Sequence, residues 1–165
     1  MGNQLTLVEL QQEAIAFRRE LDAVMLSTTS IEGMPDASHA PCFLDDRGRC
    51  LVLISRLAQH TKNLVSYPVA SLMWIEDKNS NRNVFARRRL ILQCSAENIE
   101  RDSEGWNSIL EQMEAQLGNT VRLLASLPDF MLFRFDAVRG NYIRGFAQAH
   151  LVSGNDLVMT ERRTR

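Results

Sequence analysis

Apolar positions recur along this chain at two spacings, and each predicts a different element. In residues 5–21, Leu7, Leu10, Ala14, Phe17 and Leu21 return at steps of three and four, which is the period of one helix face. Thr6 and Glu9 supply a capping box at its start. From Asp22 to about Glu97 the pattern is that of strands. Ala23–Ser30 comes first, then Asp36–Leu44 after a Glu32-Gly33 turn, then Arg49–Ser55 after the turn Asp45-Asp46-Arg47-Gly48. Pro41 assigns the second of these to a sheet edge or a bulge, because proline has no N–H to give a central ladder. Ala70–Glu76 and a long Val84–Glu97 complete the run. Helical spacing returns at Ser103–Leu117, where Asp102 can cap and Gly118 stops the helix, and a short helical piece follows at Thr120–Ser126. Phe130–Asp136 alternates again, Arg139-Gly140 reads as a turn, and Asn141–Val152 is the last strand before a charged, frayed end at Thr160–Arg165.

Strands joined by short turns, with helices at the start and late in the chain, predict a mainly β (α+β) fold, a small antiparallel barrel with flanking helices. A doubly wound parallel sheet would need a helix between nearly every pair of strands, and those helices are missing. One domain over residues 1–165 is expected: a helix at about 5–21, a barrel at about 22–152, and a helical insertion at about 102–126.

Composition narrows the partners. Nineteen basic against twenty acidic residues give a net charge of -1, so no global field recommends nucleic acid or a membrane surface. No apolar run is long enough to span a bilayer. The 3 cysteines (Cys42, Cys50, Cys94) are odd in number, lack CxxC spacing and lie in apolar runs. Buried free thiols in a reducing cytoplasm are the expectation.

Candidate chemistry gathers in Leu51–Pro68. The run Leu51-Val52-Leu53-Ile54 makes one buried strand, Ser55 stands at its end, and a short segment carrying Arg56, His60, Thr61 and Lys62 follows at the start of a short helix. A hydroxyl, cations and an imidazole beside free helix N–H groups make an anion site, and a solvated basic face is the alternative. His39, His60 and His150 show no metal-ligand spacing, and neither a glycine-rich phosphate loop nor a GxSxG elbow appears. In the triplet Arg87-Arg88-Arg89, Arg87 and Arg89 share one face if the segment is extended. An inward arginine there would need an anionic partner.

The ordered set GMP, SHAP, LVLIS, AQHTKN, YPVASLMWIED, FARRRL and GFAQAHLVSG resembles the pyridoxamine-phosphate-oxidase-like FMN-binding split barrel, and within it the haem-utilisation (HutZ/HugZ-type) branch. The resemblance spans about Phe17 to Val158. It implies an antiparallel split β-barrel and a homodimer, with a small-molecule substrate and the ligand at the subunit interface. In the flavin enzymes FMN lies along the second strand, here Ser38, His39, Ala40 and Pro41. Its phosphate is held near Ser55, Gln59, His60 and Lys62, and Arg89 matches the polar residue beside the isoalloxazine.

The pattern departs from the oxidases at two points. Their adjacent Arg-Lys phosphate pair falls on Gln59 and His60, and their substrate-binding Trp and Arg have no counterpart, so oxidation of pyridoxine 5′-phosphate is not expected. In the haem branch, His60 and Arg89 match the pocket histidine and arginine, and Asp129 matches the aspartate that supports the axial histidine. That histidine belongs to the tail beyond the segment Val152–Asp156, yet the remainder here, LVMTERRTR, contains none. Either His150 or His60 replaces it, or this member has lost haem ligation. The reading ranks a flavin-dependent oxidoreductase first, a haem-binding or haem-degrading protein second and a non-enzymatic dimeric scaffold third.

Overall fold

A computed structural model of the protein describes residues 5–80, 83–146 and 148–162. Helix α1 (Leu7–Arg19) begins at the expected capping box: the Thr6 hydroxyl accepts from the Glu9 N–H, and the Thr6 N–H donates to the Glu9 carboxylate. Its inner face, Leu10, Ala14 and Phe17, is buried. The strands are β1 (Ala23–Thr29), β2 (Pro35–Pro41), β3 (Phe43–Leu44), β4 (Cys50–Ser55), β5 (Val69–Ile75), β6 (Arg89–Ile99), β7 (Phe130–Gly145), β8 (Gln148–Ser153) and β9 (Val158–Arg162). Between them lie α2 (Gln59–Ser66), α3 (Glu104–Leu117) and α4 (Thr120–Ser126).

These strands form one antiparallel sheet in the order β2-β1-β5-β6-β7-β4-β3, with β8 added to β7 and β9 to β8. It curls but does not close. β2 is an edge, as Pro41 requires, and it packs beside β4 without pairing. Inside the curl Phe17, Trp74, Phe133, Phe135 and Tyr142 are essentially dry. Each such side chain contributes about 2–3 kcal/mol of burial. A second core lies outside, where Trp106, Leu110, Met113 and Val121 of α3 and α4 cover Leu51, Leu53 and Leu132. That is why the strand of Leu51–Ile54 has no polar alternation: Val52 and Ile54 face the inner core and Leu51 and Leu53 the outer one. Cys42, Cys50 and Cys94 are free and buried.

Four expectations are corrected. The long fifth strand starts at Arg89, because Val84–Ala86 form a 3-10 turn capped by Asn83. Ser103, not Asp102, caps α3, its hydroxyl accepting from the Trp106 N–H. Thr160 is not frayed: β9 runs through it and pairs with β8, while residues 163–165 lie outside the described residues. Arg139-Gly140 is no turn, since β7 runs straight through it. Gly140 is needed instead for a close approach; a Cβ there would collide with the Ile91 carbonyl oxygen and the Leu92 side chain.

Just before it, Cys94 pairs with Ala137 but Gln93 with Arg139, so Val138 is an inserted residue. This bulge reverses which parity of β7 faces inward: Phe133 and Phe135 before it, Tyr142 after it. β4 pairs with the first part of β7 and β8 with the last part, along the same edge. The Asn155 side chain fills the gap between them. It accepts from the Ala137 N–H at 2.8 Å and donates to Asp136 at 2.9 Å. Its own carbonyl receives Arg18 Nη2 at 3.0 Å, from a guanidinium 2% exposed and 6.0 Å from the Trp74 ring.

Candidate functional site

The expected site residues separate into a corner and a face. The corner forms where β4 ends. The Ser55 hydroxyl donates to Asp129 Oδ2 at 2.5 Å, and the Arg56 N–H donates to the Asp129 carbonyl at 2.7 Å. The loop that carries Asp129 is itself clamped. Arg101 donates to the carbonyls of Ala125, Leu127 and Phe130 at 2.8, 2.7 and 2.9 Å, and lies 4.8 Å over the Trp106 ring.

Helix α2 then starts at Ala58, which offers no side-chain cap. Gln59 is not free for a phosphate: it donates to Asn63 at 2.8 Å, and Asn63 donates on to Thr28 at 2.9 Å, which locks α2 to β1. His60 is half-buried near Asp36; burial lowers its pKa and the carboxylate opposes that shift. Lys62 is exposed and lines a cavity of about 460 Å³ with Arg56, Thr61, Val65, Ser66 and Met131. Thr61 is 1% exposed and its hydroxyl has no partner among the described residues. Two cations and an unengaged hydroxyl make this corner fit a phosphate or carboxylate.

The face is the outer side of the sheet. Along β2 the alternation sends Ser38 and Ala40 inward, Ser38 donating to the Leu26 carbonyl at 3.2 Å, and leaves His39 and Pro41 exposed. His39 pairs with Met25, Met25 with Met73, and Met73 with Ile91, so the four form one cross-strand row. His39, Met25, Met73 and Ile75 line a shallow hollow of about 170 Å³. In the adjacent row Ile75 pairs with Arg89 and Arg89 with Ile143.

The arginine triplet divides its work. Arg87 binds the Glu76 carbonyl. Arg88 turns in, bonded to the Glu76 carboxylate at 2.9 Å and 5.1 Å from the Phe17 ring. Arg89 turns out, donates to the Arg87 carbonyl at 3.1 Å, and has no carboxylate partner among the described residues. The inward arginine does find its anion, but it is Arg88 and not Arg89.

His150 is 7% exposed and sits opposite Tyr142, a fully buried residue whose hydroxyl donates to Glu13 at 2.7 Å. It therefore faces the interior beneath α1. Ser55 and Asp129 lie at the Phe130 end of β7, while Arg89 pairs with Ile143, 13 residues further on. That contour is roughly 40 Å, which places the corner and Arg89 toward opposite ends of β7. Sequence reasoning placed Arg56 and Thr61 in the anion site and missed Met25 and Met73. Alternation in β1 and β5 places the two methionines on one face of their strands, but the register that puts them beside His39 leaves no mark in the sequence.

A family model described as pyridoxamine 5'-phosphate oxidase matches residues 10–144. The chain is 41% identical over 149 residues to heme oxygenase HutZ of Vibrio cholerae, covering 90% of this chain and 84% of that protein. The crystal structure of HutZ, described as the heme storage protein of Vibrio cholerae, superposes with a TM-score of 0.73 at 39% identity, over 78% of this chain and 89% of that one. Campylobacter jejuni ChuZ has the same fold, with a TM-score of 0.85 at 24% identity, over 96% of this chain and 64% of that one. With its curled, unclosed sheet and this match, the chain belongs to the pyridoxamine 5'-phosphate oxidase family.

Proposed function

We propose that this chain binds haem on the outer face of β2, β1, β5 and β6, as a cytoplasmic protein of the haem-utilisation branch. The observation that carries the reading is Arg89, a guanidinium without a carboxylate partner among the described residues, on an otherwise apolar, half-exposed sheet face. Its planar fork suits a carboxylate, and the neighbouring Met73, Ile75 and Ile91 suit a flat apolar body. Haem combines both. The 41% identical relative being a heme oxygenase supports the same choice over a flavin. When bound, haem supplies iron for redox and oxygen chemistry. The chain's own part is to grip the carboxylate through Arg89 and to keep water from the apolar side of the ligand.

A homodimer with the ligand between subunits is part of this proposal. Arg89 and Asp129 lie at opposite ends of β7, and a second copy is the economical way to bring both kinds of residue to one ligand. A flavin remains the second reading, favoured by the cavity of Arg56, Lys62 and the unengaged Thr61 hydroxyl, which suits a phosphomonoester. Absorbance titrations of the purified protein with haemin and with FMN separate the two. Saturable haemin binding at one per chain or one per interface, with FMN left free, is expected. Stoichiometric FMN binding without a Soret band from added haemin would replace the haem reading by the flavin one.

A further inference from the structure

We propose that Met25, His39 and Met73 form a binding site for a soft monovalent metal ion, copper(I) by its chemistry, an inference that goes beyond the haem reading and does not rest on it. The three residues are far apart along the chain and share no ligand spacing in the sequence. The register brings them together. His39 on β2 pairs with Met25 on β1, and Met25 pairs with Met73 on β5, so three adjacent strands each present one donor side chain in a single row. Adjacent partners in such a row stand about 5 Å apart at Cβ. The space beside them is set by Ala23, two residues before Met25 on the same face of β1. Its short side chain lies in the hollow of about 170 Å³ that His39, Met25, Met73 and Ile75 wall. Pockets for organic ligands run to about 300–1,000 Å³, so this hollow suits a single ion.

The donor set selects the ion. Thioether sulfur is a soft ligand that favours copper(I), and imidazole suits copper as well. Magnesium and calcium want oxygen, and zinc sites are built from thiolate, imidazole and carboxylate. Among the described residues no three His, Cys, Asp or Glu side chains gather into such a set. The flanking strands β2 and β5 lie about 10 Å apart. A histidine and a methionine leaning in from the two sides, each with a metal bond of about 2.0–2.3 Å, close that distance over β1. His39 is exposed and has no hydrogen-bond or ion-pair partner among the described residues, so its ring is available. Asp22 lines the same hollow and brings a negative charge to a cation held there. Packing alone would be served by branched aliphatic residues, which the same face has at Ile75 and Ile91; the two positions nearest the imidazole carry sulfur instead. Arg89 does not line the hollow, so an ion in it leaves the guanidinium of the haem reading free.

Copper(I) is titrated anaerobically, against a coloured bicinchoninate chelate, into wild type, Met25→Leu, Met73→Leu, the double variant and His39→Ala. Silver(I), an air-stable ion of the same charge and preference, is followed by NMR of methyl-labelled methionine. One ion per chain is expected, with the methyl signals of Met25 and Met73 moving and those of the other methionines still. Each single substitution should weaken binding at least about tenfold, since changes outside a ligand set already cost that much. The double variant should lose the site. Leucine keeps the volume of methionine, so thermal melts of the Leu variants should stay close to wild type and a loss of binding is not a loss of fold. Binding that survives in the double variant has gone to the thiols of Cys42, Cys50 or Cys94 and overturns the site. Zinc(II) bound as tightly as copper(I), or no saturable copper(I) binding in wild type, overturns it equally.

Discussion

Replacing Arg101 by alanine tests how the corner around Asp129 is held. The guanidinium donates three hydrogen bonds, at 2.8, 2.7 and 2.9 Å, to the carbonyls of Ala125, Leu127 and Phe130, and it covers Trp106 at 4.8 Å. A hydrogen bond from a charged donor contributes about 1.5–3 kcal/mol when buried. Here the arginine is half-buried and water can replace part of what is lost, so about 1 kcal/mol per bond is the better figure. The stacking on Trp106 adds about 0.5–1 kcal/mol. The expected cost is therefore about 3–4 kcal/mol, a fall of roughly 6–15 °C in Tm for a chain of this size.

Arg101→Lys keeps the charge and loses the fork, so it should recover less than half of that. Urea unfolding gives the total, and native-state amide exchange gives the location. The Arg56 N–H, which donates to the Asp129 carbonyl, should exchange faster in Arg101→Ala, while Leu72 and Leu90 in the inner core should follow the global stability. A loss below about 1 kcal/mol would refute the clamp. So would unchanged protection of the Arg56 amide.

Asn155→Ala removes both side-chain bonds across the gap in β7, and a cost of about 2–3 kcal/mol by urea unfolding is expected because the Ala137 N–H is left without its partner. Burial pushes the Cys94 thiol up to about 12, so the folded state keeps this proton while the unfolded chain loses it near pH 9. Stability from this group is thus full below about pH 9 and falls by about 1.4 kcal/mol per pH unit up to about pH 12; Cys94→Ala should remove one proton's worth of that slope. Lys62→Ala should weaken FMN more than riboflavin if a phosphate occupies the cavity beside Thr61, measured by fluorescence quenching; equal losses would place the phosphate elsewhere. Light scattering at micromolar concentration should report a dimer, and a monomer in the presence of ligand would refute the paired assembly.

What could be read along the chain was local. The capping box of Thr6 and Glu9, the edge position forced by Pro41 and the doubly buried Leu51–Ile54 all follow from short-range chemistry, and the structure has each of them. Less legible was anything that depends on which strand lies beside which. Arg139-Gly140 carries the composition of a turn, yet its glycine serves a backbone contact with β6. The bulge at Val138 reverses inside and outside on β7, so alternation counted from Phe130 misassigns every residue beyond it. Gln59 looked available for a ligand and is bonded to Asn63, a partnership between residues four apart that only a helix creates. His150, picked out by its position near the tail, faces inward for a reason set by β7 rather than by its own neighbours.

The interruption between β4 and β8 has a consequence for how this molecule breathes. The two strands share an edge of β7 without touching, so no ladder bond passes from one to the other. Across that gap run an amide side chain, the Gly154 N–H on the Val138 carbonyl at 3.2 Å, and the Arg18 contact with Asn155. Cooperativity is weakest where links are fewest. The part with β4, α3 and α4 and the part with β8, β9 and α1 are therefore coupled through β6, β7 and the shared inner core rather than by a ladder of their own. A fluctuation that opens the second part would uncover the β7 edge from Arg139 to Gly145 and the inner side beneath α1, while leaving Ser55 and Asp129 in place.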